Sequence, residues 1–138
     1  MVCLPRQLHG GVALITGVPR YGKVIHIASL AGICAMAAHN SYCSASKGAV
    51  IAFTRSVAYE VAGANVQANA ICPGGVRTPA FDHFLDQQSP EQLHVINQIL
   101  PLGRLGEAQE YAALVSHLAS DECYLVGSII NAGGGTYI

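Results

Sequence analysis

The side chains able to do chemistry in this sequence stand close together: Ser29, Tyr42 and Lys47, in the run Gly22 to Val50, GKVIHIASLAGICAMAAHNSYCSASKGAV. A phenol with a pKa of about 10 is a poor proton donor or acceptor near neutral pH, and a neighbouring cation that lowers this value makes it a usable one. Lys47 can supply that cation, and Ser29 adds a second hydroxyl. The elements around them would put all three beside one pocket. Val24 to Ala28 is a short apolar run rich in β-branched residues and reads as a buried strand. Ser29 then sits at its C-terminal tip, where open α/β sheets bind ligands. After a loop of small residues, a periodic apolar segment from about Tyr42 to Ala62 reads as a helix that carries Lys47 in its first turns.

These residues resemble the active-site segment of the short-chain dehydrogenase/reductase family: IASLAG, a Tyr thirteen residues after the Ser, and ASKGAV. The resemblance extends over most of the chain downstream. It implies that Tyr42 is the general acid/base, that Lys47 lowers its pKa and holds the nicotinamide ribose, and that Ser29 positions the substrate carbonyl. Hydride transfer to a carbonyl leaves an oxyanion that must receive a proton, which is why such a set is wanted.

The chain departs from the family in one spacing. The family has Y-x-x-x-K, whereas Tyr42-Cys43-Ser44-Ala45-Ser46-Lys47 is one residue longer. At about 100° per residue, positions i and i+4 of a helix lie about 40° apart and positions i and i+5 about 140° apart. The Tyr–Lys geometry survives if Tyr42 precedes the first helical turn or if a π-bulge absorbs the extra residue. Otherwise Cys43, not Tyr42, faces with Lys47.

The rest of the chain reads as follows. Val12 to Thr16 forms a short apolar strand closed by Gly17, similar to the family's first strand, but Val18-Pro19-Arg20-Tyr21-Gly22-Lys23 does not supply the glycine-rich turn T-G-x-x-x-G-x-G. Such a turn lets backbone amides and a helix N-terminus approach a diphosphate, and no helical pattern follows here. The chain thus resembles the family's first strand joined directly to its catalytic strand, without the elements that would select NAD or NADP and supply a fourth catalytic residue, an Asn. Parallel strands need a crossover of about a dozen residues or more, so residues 12–16 must either pair antiparallel or remain an unpaired arm. The long helix shows an apolar stripe of Val50, Phe53, Val57 and Val61 and a face of small residues, Ala45, Ala49, Ala52 and Ser56. In the family this helix lies at a subunit interface.

Asn65 to Cys72 alternates as a strand and leads into Pro73-Gly74-Gly75-Val76-Arg77-Thr78, similar to the family loop P-G-x-x-x-T. The resemblance makes Pro73, Gly74, a backbone group near Val76 and the Thr78 hydroxyl cofactor contacts. Phe81 to Leu100 reads as two short helices around Ser89-Pro90, which in the family cover the substrate; its apolar residues suit an apolar or cyclic one. Pro101 to Glu107 resembles the family's P-L-G-R-x-G entry to a last helix ending near Ser120. The final strand, Ser128 to Asn131, runs into Ala132-Gly133-Gly134-Gly135, which is not a phosphate loop because no helix follows.

Composition narrows the functional classes. The chain has 138 residues, one domain's worth, with 51% hydrophobic and only 11% charged residues, against about 25% charged in a typical soluble domain. A surface of that kind should be partly covered, most simply by a partner subunit; the alternative is a fragment exposing what should be core. A net charge of −1 leaves no electrostatic footprint for nucleic acid or an acidic membrane. Five widely spaced cysteines without C-x-x-C read as reduced thiols of an intracellular protein, and the six histidines show no metal-ligand spacing. Met1 to Arg6 lacks the apolar core of a signal peptide, and polar residues interrupt the uncharged run before Lys47 too heavily for a membrane span.

The expectation is a single truncated α/β domain, a partial Rossmann-like, doubly wound parallel sheet. In it residues 1–21 are a remnant of the first-strand region and residues 22–138 the catalytic and C-terminal part. By resemblance it is a cytoplasmic NAD- or NADP-dependent oxidoreductase of a small carbonyl or alcohol, forming a homo-oligomer or a hetero-oligomer with a full-length relative, without metal, nucleic acid or membrane. The alternative is a non-catalytic chain that assembles with such a relative.

Overall fold

The computed structural model describes the backbone of residues 13–18 and, in full, residues 21–35 and 40–137. Met1–Arg6, Cys3, His9, Val12, Pro19, Arg20 and His39, which enter the expectations above, lie outside the described residues. The elements follow in the order β1 (Ala13–Val18), β2 (Tyr21–Ile27), α1 (Ser41–Val61), β3 (Val66–Pro73), α2 (Pro79–Leu85), α3 (Pro90–Gln98), α4 (Ala108–Ala119) and β4 (Ile129–Ala132).

The four strands form one sheet in the order β1-β2-β3-β4. β2 and β3 are parallel, with Ile25 opposite Asn69, and β3 and β4 are parallel, with Ile71 opposite Ile130. β1 pairs antiparallel with β2, Ile15 opposite Val24. Of the two arrangements open to the first strand, the short link to β2 therefore yields the antiparallel pair.

Both faces of the sheet are covered, and the alternation along β2 and β3 feeds two cores. Ala28, Ala70 and Cys72 meet Leu30 and Ile51 on the α1 side, whereas Ile25 and Ile71 meet Leu118 of α4 and Cys123 on the other. Ile25, Ile71 and Leu118 are fully buried, each worth about 1.5–3 kcal/mol in apolar transfer. The result is a three-layer α/β architecture, as the family resemblance implies.

The inward face of α1 differs from the expected stripe. Its buried residues are Cys43, Ile51, Thr54 and Ala58, while Phe53 is exposed and Val50, Val57 and Val61 are half-buried flanks. Small side chains win because α1 lies close on the sheet. Thr54 is admitted because its hydroxyl donates to the Val50 carbonyl at 2.7 Å and bonds His26 Nδ1 at 2.9 Å. The small face of Ala45, Ala49, Ala52 and Ser56 is exposed.

The two short helices flank Ser89 as expected. Ser89 caps α3 in a reciprocal box with Gln92, and Thr78 caps α2 by accepting from Phe81 N at 3.2 Å. Among the described residues, no helix is long and apolar enough to cross a membrane.

Candidate active site

The C-terminal ends of β2, β3 and β4 lie side by side, and the candidate site is built on them. Beyond β2, Ala28 N donates to Ile71 O at 2.8 Å, which carries the strand's course to Ser29. Ser29 is fully buried and caps a 3-10 turn, Leu30–Gly32, by accepting from Ala31 N at 3.2 Å. That turn docks against α1 through Gly32, where a Cβ would stand 2.7 Å from the Lys47 carbonyl carbon and 2.8 Å from Gly48 N. Glycine is needed at this position for close approach, because any side chain would push turn and helix apart.

α1 begins at Ser41 and runs as an unbroken α-helix through Lys47, so neither a late helix start nor a π-bulge absorbs the extra residue. The helical phase follows. Lys47 falls on the stripe formed by the buried residues Cys43, Ile51, Thr54 and Ala58, four residues after Cys43 and four before Ile51. Its ammonium donates to the Ile27 carbonyl at 3.1 Å, across the end of β2 and two residues before Ser29. Cys43 is fully buried against Ala31, whereas Tyr42 is 37% exposed. Ser29 and Lys47 are thus brought to the same strand end, and Tyr42 is turned from Lys47 by about 140° around the helix. At the N-cap of α1, Asn40 is buried with neither side-chain amide atom hydrogen-bonded. No sequence signal marks that burial.

The loop after β3 forms the second wall. Gly74 is buried, and a Cβ there would come within 3.0 Å of Gly133 Cα, while one on Gly133 would overlap Leu30. Pro73 and Gly74 therefore lie one glycine thickness from the Ser29–Leu30 turn. The Cys72 thiol is pushed above its ordinary value by burial, against a hydrogen bond from the Ser29 backbone and the charges of Lys47 and Arg55. Beyond Gly74, Val76 pairs with Gly106 as a parallel bridge: Gly106 N donates to Gly75 O at 3.0 Å and Arg77 N to Gly106 O at 2.8 Å. A parallel bridge of this pattern directs the N–H and C=O of Val76 away from Gly106. Thr78 is taken up as the cap of α2 through its acceptor oxygen.

Beneath this loop lies a set of residues that the sequence reading passed over. Arg104 grips the Glu110 carboxylate with both guanidinium nitrogens at 2.8 Å, and Glu107 N donates to the same carboxylate at 2.8 Å. The Arg104 bonds, then the Glu107 amide, hold Glu110 down at about 2. Tyr111 donates to Ala132 O at 3.0 Å, and its pKa is raised, chiefly by burial. A cavity of about 180 Å³ opens here, lined by Gly75, Leu102, Arg104, Tyr111, Leu114 and Gly133 among others. The spacing Glu107-x-x-Glu110 just before an apolar run is a helix-start signature and could have drawn attention to this corner. Among the described residues, no group of three His, Cys, Asp or Glu side chains is arranged to hold a metal ion.

The arrangement fits the nicotinamide end of a dinucleotide and not its diphosphate. Val76 offers a backbone donor and acceptor, and Lys47 holds a cation at the same sheet edge. In contrast, β1 and β2 form a hairpin with Pro19 and Arg20 between them, so no helix N-terminus follows β1.

Residues 12–137 match the family described as enoyl-(acyl carrier protein) reductase. The 3-oxoacyl-(acyl-carrier-protein) reductase of Haemophilus influenzae is 35% identical over 120 residues, covering 86% of this chain and 48% of the relative. The 2-dehydro-3-deoxy-L-rhamnonate dehydrogenase (NAD(+)) of a Sphingomonas species is 39% identical over 116 residues, covering 83% and 45%. A crystal structure from Agrobacterium tumefaciens with bound NADP, described as a 2-deoxy-D-gluconate 3-dehydrogenase, superposes with a TM-score of 0.77 at 31% identity, over 85% of this chain and 47% of that one. The chain spans about half the length of the curated relatives it matches.

Proposed function

This chain belongs to the short-chain dehydrogenase/reductase family, and from that premise we propose that it is the nicotinamide- and substrate-facing half of an NAD(P)-dependent oxidoreductase site. The reaction is reduction of a small-molecule carbonyl or oxidation of the corresponding secondary alcohol. The observation that supports this best is the meeting of Ser29, Lys47 and the Pro73–Thr78 loop at one edge of the sheet.

In this reading the Ser29 hydroxyl orients the carbonyl oxygen, and Lys47, already fixed on the Ile27 carbonyl, holds the ribose hydroxyls. The Val76 backbone and the Thr78 hydroxyl hold the nicotinamide amide, and Pro73 and Gly74 set the course of that loop. Tyr42 exchanges the proton with the substrate oxygen, which requires the first turn of α1 to rotate toward Lys47. The cofactor supplies the hydride, which no side chain can. Half-buried Phe81, Phe84, Leu85, Leu93 and Ile96 of α2 and α3 suit an apolar or cyclic substrate. Both NAD and NADP are to be tested, since one relative is named for NAD and the solved neighbour holds NADP.

A second reading has its own support in the phase of α1. With Cys43 in the inward place and Tyr42 turned outward, a non-catalytic chain that assembles with itself or with a full-length relative would keep the fold without the chemistry. The exposed face of Ala45, Ala49, Ala52 and Ser56 and the edge strand β4 are the surfaces it would use.

Titration of NADH and NADPH against the purified chain, read by cofactor fluorescence and thermal stability, decides between them. The absence of Trp keeps the protein background low. Saturation at about 100 times Kd should stabilise the fold by about 2.7 kcal/mol. A folded protein that binds neither cofactor rules out the first reading. A pull-down from coexpression with a full-length relative, and the size of the purified chain in solution, test the second: no mixed oligomer and no self-association would rule it out.

A further inference from the structure

Resting on the reading that the Gly74–Thr78 loop takes the nicotinamide, we propose that Arg104 and Glu110 are positioning residues for this loop, acting on it through Gly106. The loop leaves β3 at Pro73 and has no regular element of its own until α2 begins at Pro79. Its backbone is tied instead to the segment before α4, by Gly106 N to Gly75 O at 3.0 Å and Arg77 N to Gly106 O at 2.8 Å. These two bonds aim the Val76 amide and carbonyl outward.

The order of the loop is therefore set by whatever fixes Gly106. Glu110 does this from the first turn of α4. Its Oε2 accepts from Glu107 N and from Arg104 Nη1, its Oε1 accepts from Arg104 Nη2, and Arg104 Nη1 also donates to Leu105 O at 3.0 Å. The carboxylate thus fastens residues 104 and 107, and Arg104 in turn holds the Leu105 carbonyl, with Gly106 enclosed between them. Packing completes the clamp. Leu105 is buried beneath Gly75, where a Cβ would stand 2.6 Å from Leu105 Cδ2, and the Tyr111 ring closes on Gly106, where a Cβ would stand 2.6 Å from the phenol oxygen. The Arg77–Glu107 pair, at 3.4 Å, adds a cross-tie outside the backbone bridge.

A lone exposed ion pair contributes little, but a bidentate guanidinium–carboxylate pair that also holds a backbone amide has a defined geometry. Here that geometry reaches the loop through two backbone bonds. Held down at about 2, Glu110 is ionised at neutral pH and carries the charge this geometry needs.

Residue-resolved amide hydrogen exchange on the full chain tests this, with Glu110→Gln, Arg104→Gln and Arg104→Lys. Exchange at Arg77 and Gly106 should rise about five- to tenfold in Glu110→Gln and Arg104→Gln, while the β3 amides of Ala70 and Ile71 keep their protection. Arg104→Lys, which keeps the charge but loses the fork, should fall between, and the double Gln variant should be no worse than either single one. NADH or NADPH affinity should weaken by the same factor as exchange rises. Unchanged exchange at Arg77 in both Gln variants overturns the clamp. So does exchange that rises equally in β3, which would make the pair a general stabiliser. Loosening of the loop in a chain whose unaltered form binds neither cofactor keeps the clamp and overturns the cofactor reading, so the two failures are distinguishable.

Discussion

Replacing Gly32 by Ala should loosen the whole candidate site, and the size of the effect follows from three distances. The new Cβ would stand 2.7 Å from the Lys47 carbonyl carbon, 2.8 Å from Gly48 N and 2.9 Å from Ile51 Cδ1. An ordinary contact begins at about 3.4 Å, so the Leu30–Gly32 turn must withdraw from α1 by roughly 0.7 Å. Two of the three obstacles are helix backbone, which cannot swing aside as a side chain can. Overpacking of this kind costs about 1–3 kcal/mol, against a gain of about 0.4–1 kcal/mol from the stiffer unfolded chain. With an unfolding entropy of about 2.1 cal/mol/K per residue over 138 residues, each net kcal/mol lowers Tm by about 3 °C. A fall of about 4 °C, from the middle of both ranges, and of at most about 8 °C is expected in a circular-dichroism melt. Gly63→Ala is the control, since nothing lies within 4 Å of a Cβ there, and it should be neutral or slightly stabilising. Gly32→Ala melting with the wild type would refute the claim that this contact fixes the turn carrying Ser29.

Deleting Ser44 shortens the Tyr42–Lys47 interval to four residues and should bring the phenol onto the stripe that Cys43 holds. If the chain shows any carbonyl reduction, the deletion should raise it by up to the 10²–10⁴-fold typical of a positioned acid/base, and no rise would refute the phase argument. His26 is buried against Thr54 and Phe53 and its pKa is lowered from 6.5 by that burial. The unfolded chain therefore takes up the proton first, so the contribution is intact above pH 6.5 and is lost as pH falls from there toward the folded value. Tm measured from pH 8 to pH 5 should drop less in His26→Gln than in the wild type, and equal slopes would refute this.

How far the sequence could be read depended on whether a signal was local. β2, β3 and α1 were legible from apolar patterning and Ser89-Pro90 marked the break between α2 and α3, whereas α4 came through the resemblance of Pro101 to Glu107. The short link before β2 excluded a parallel neighbour and left an antiparallel pair or an unpaired arm, between which the structure decides. The inward face of α1 was not legible: the sequence offered a stripe of Val50, Phe53, Val57 and Val61 and a small-residue face of Ala45, Ala49, Ala52 and Ser56, and the buried face, Cys43, Ile51, Thr54 and Ala58, is neither. Lys23 is 4% exposed in the middle of β2. Its acceptors, Gln67 Oε1 at 2.6 Å and Cys123 O at 3.1 Å, come from segments far along the chain, so no window of sequence around it could have announced the burial. Asn40 is likewise buried without a local mark, whereas the Arg104–Glu110 clamp spans only six residues and lay within reach of a sequence window.

The hairpin at the start of the sheet explains why the candidate site takes the form it does. A parallel strand in the place of β1 would arrive with a crossover helix, and the N-terminus of such a helix is what receives a diphosphate. The antiparallel β1 gives β2 its hydrogen-bonded neighbour, Ile15 opposite Val24 and Leu14 opposite Ile25, and so protects the strand that carries Ser29 from becoming an open edge. It pairs with β2 without bringing a helix N-terminus to the end of the sheet. Every group at the C-terminal edge of the sheet must then be held from within residues 22–137. That is the arrangement observed: Lys47 bonded to Ile27 O, Gly74 against Gly133, and the loop after β3 tied to Gly106. Groups at the end of the sheet that are fastened by residues of the same chain are the physical ground for testing cofactor binding before catalysis.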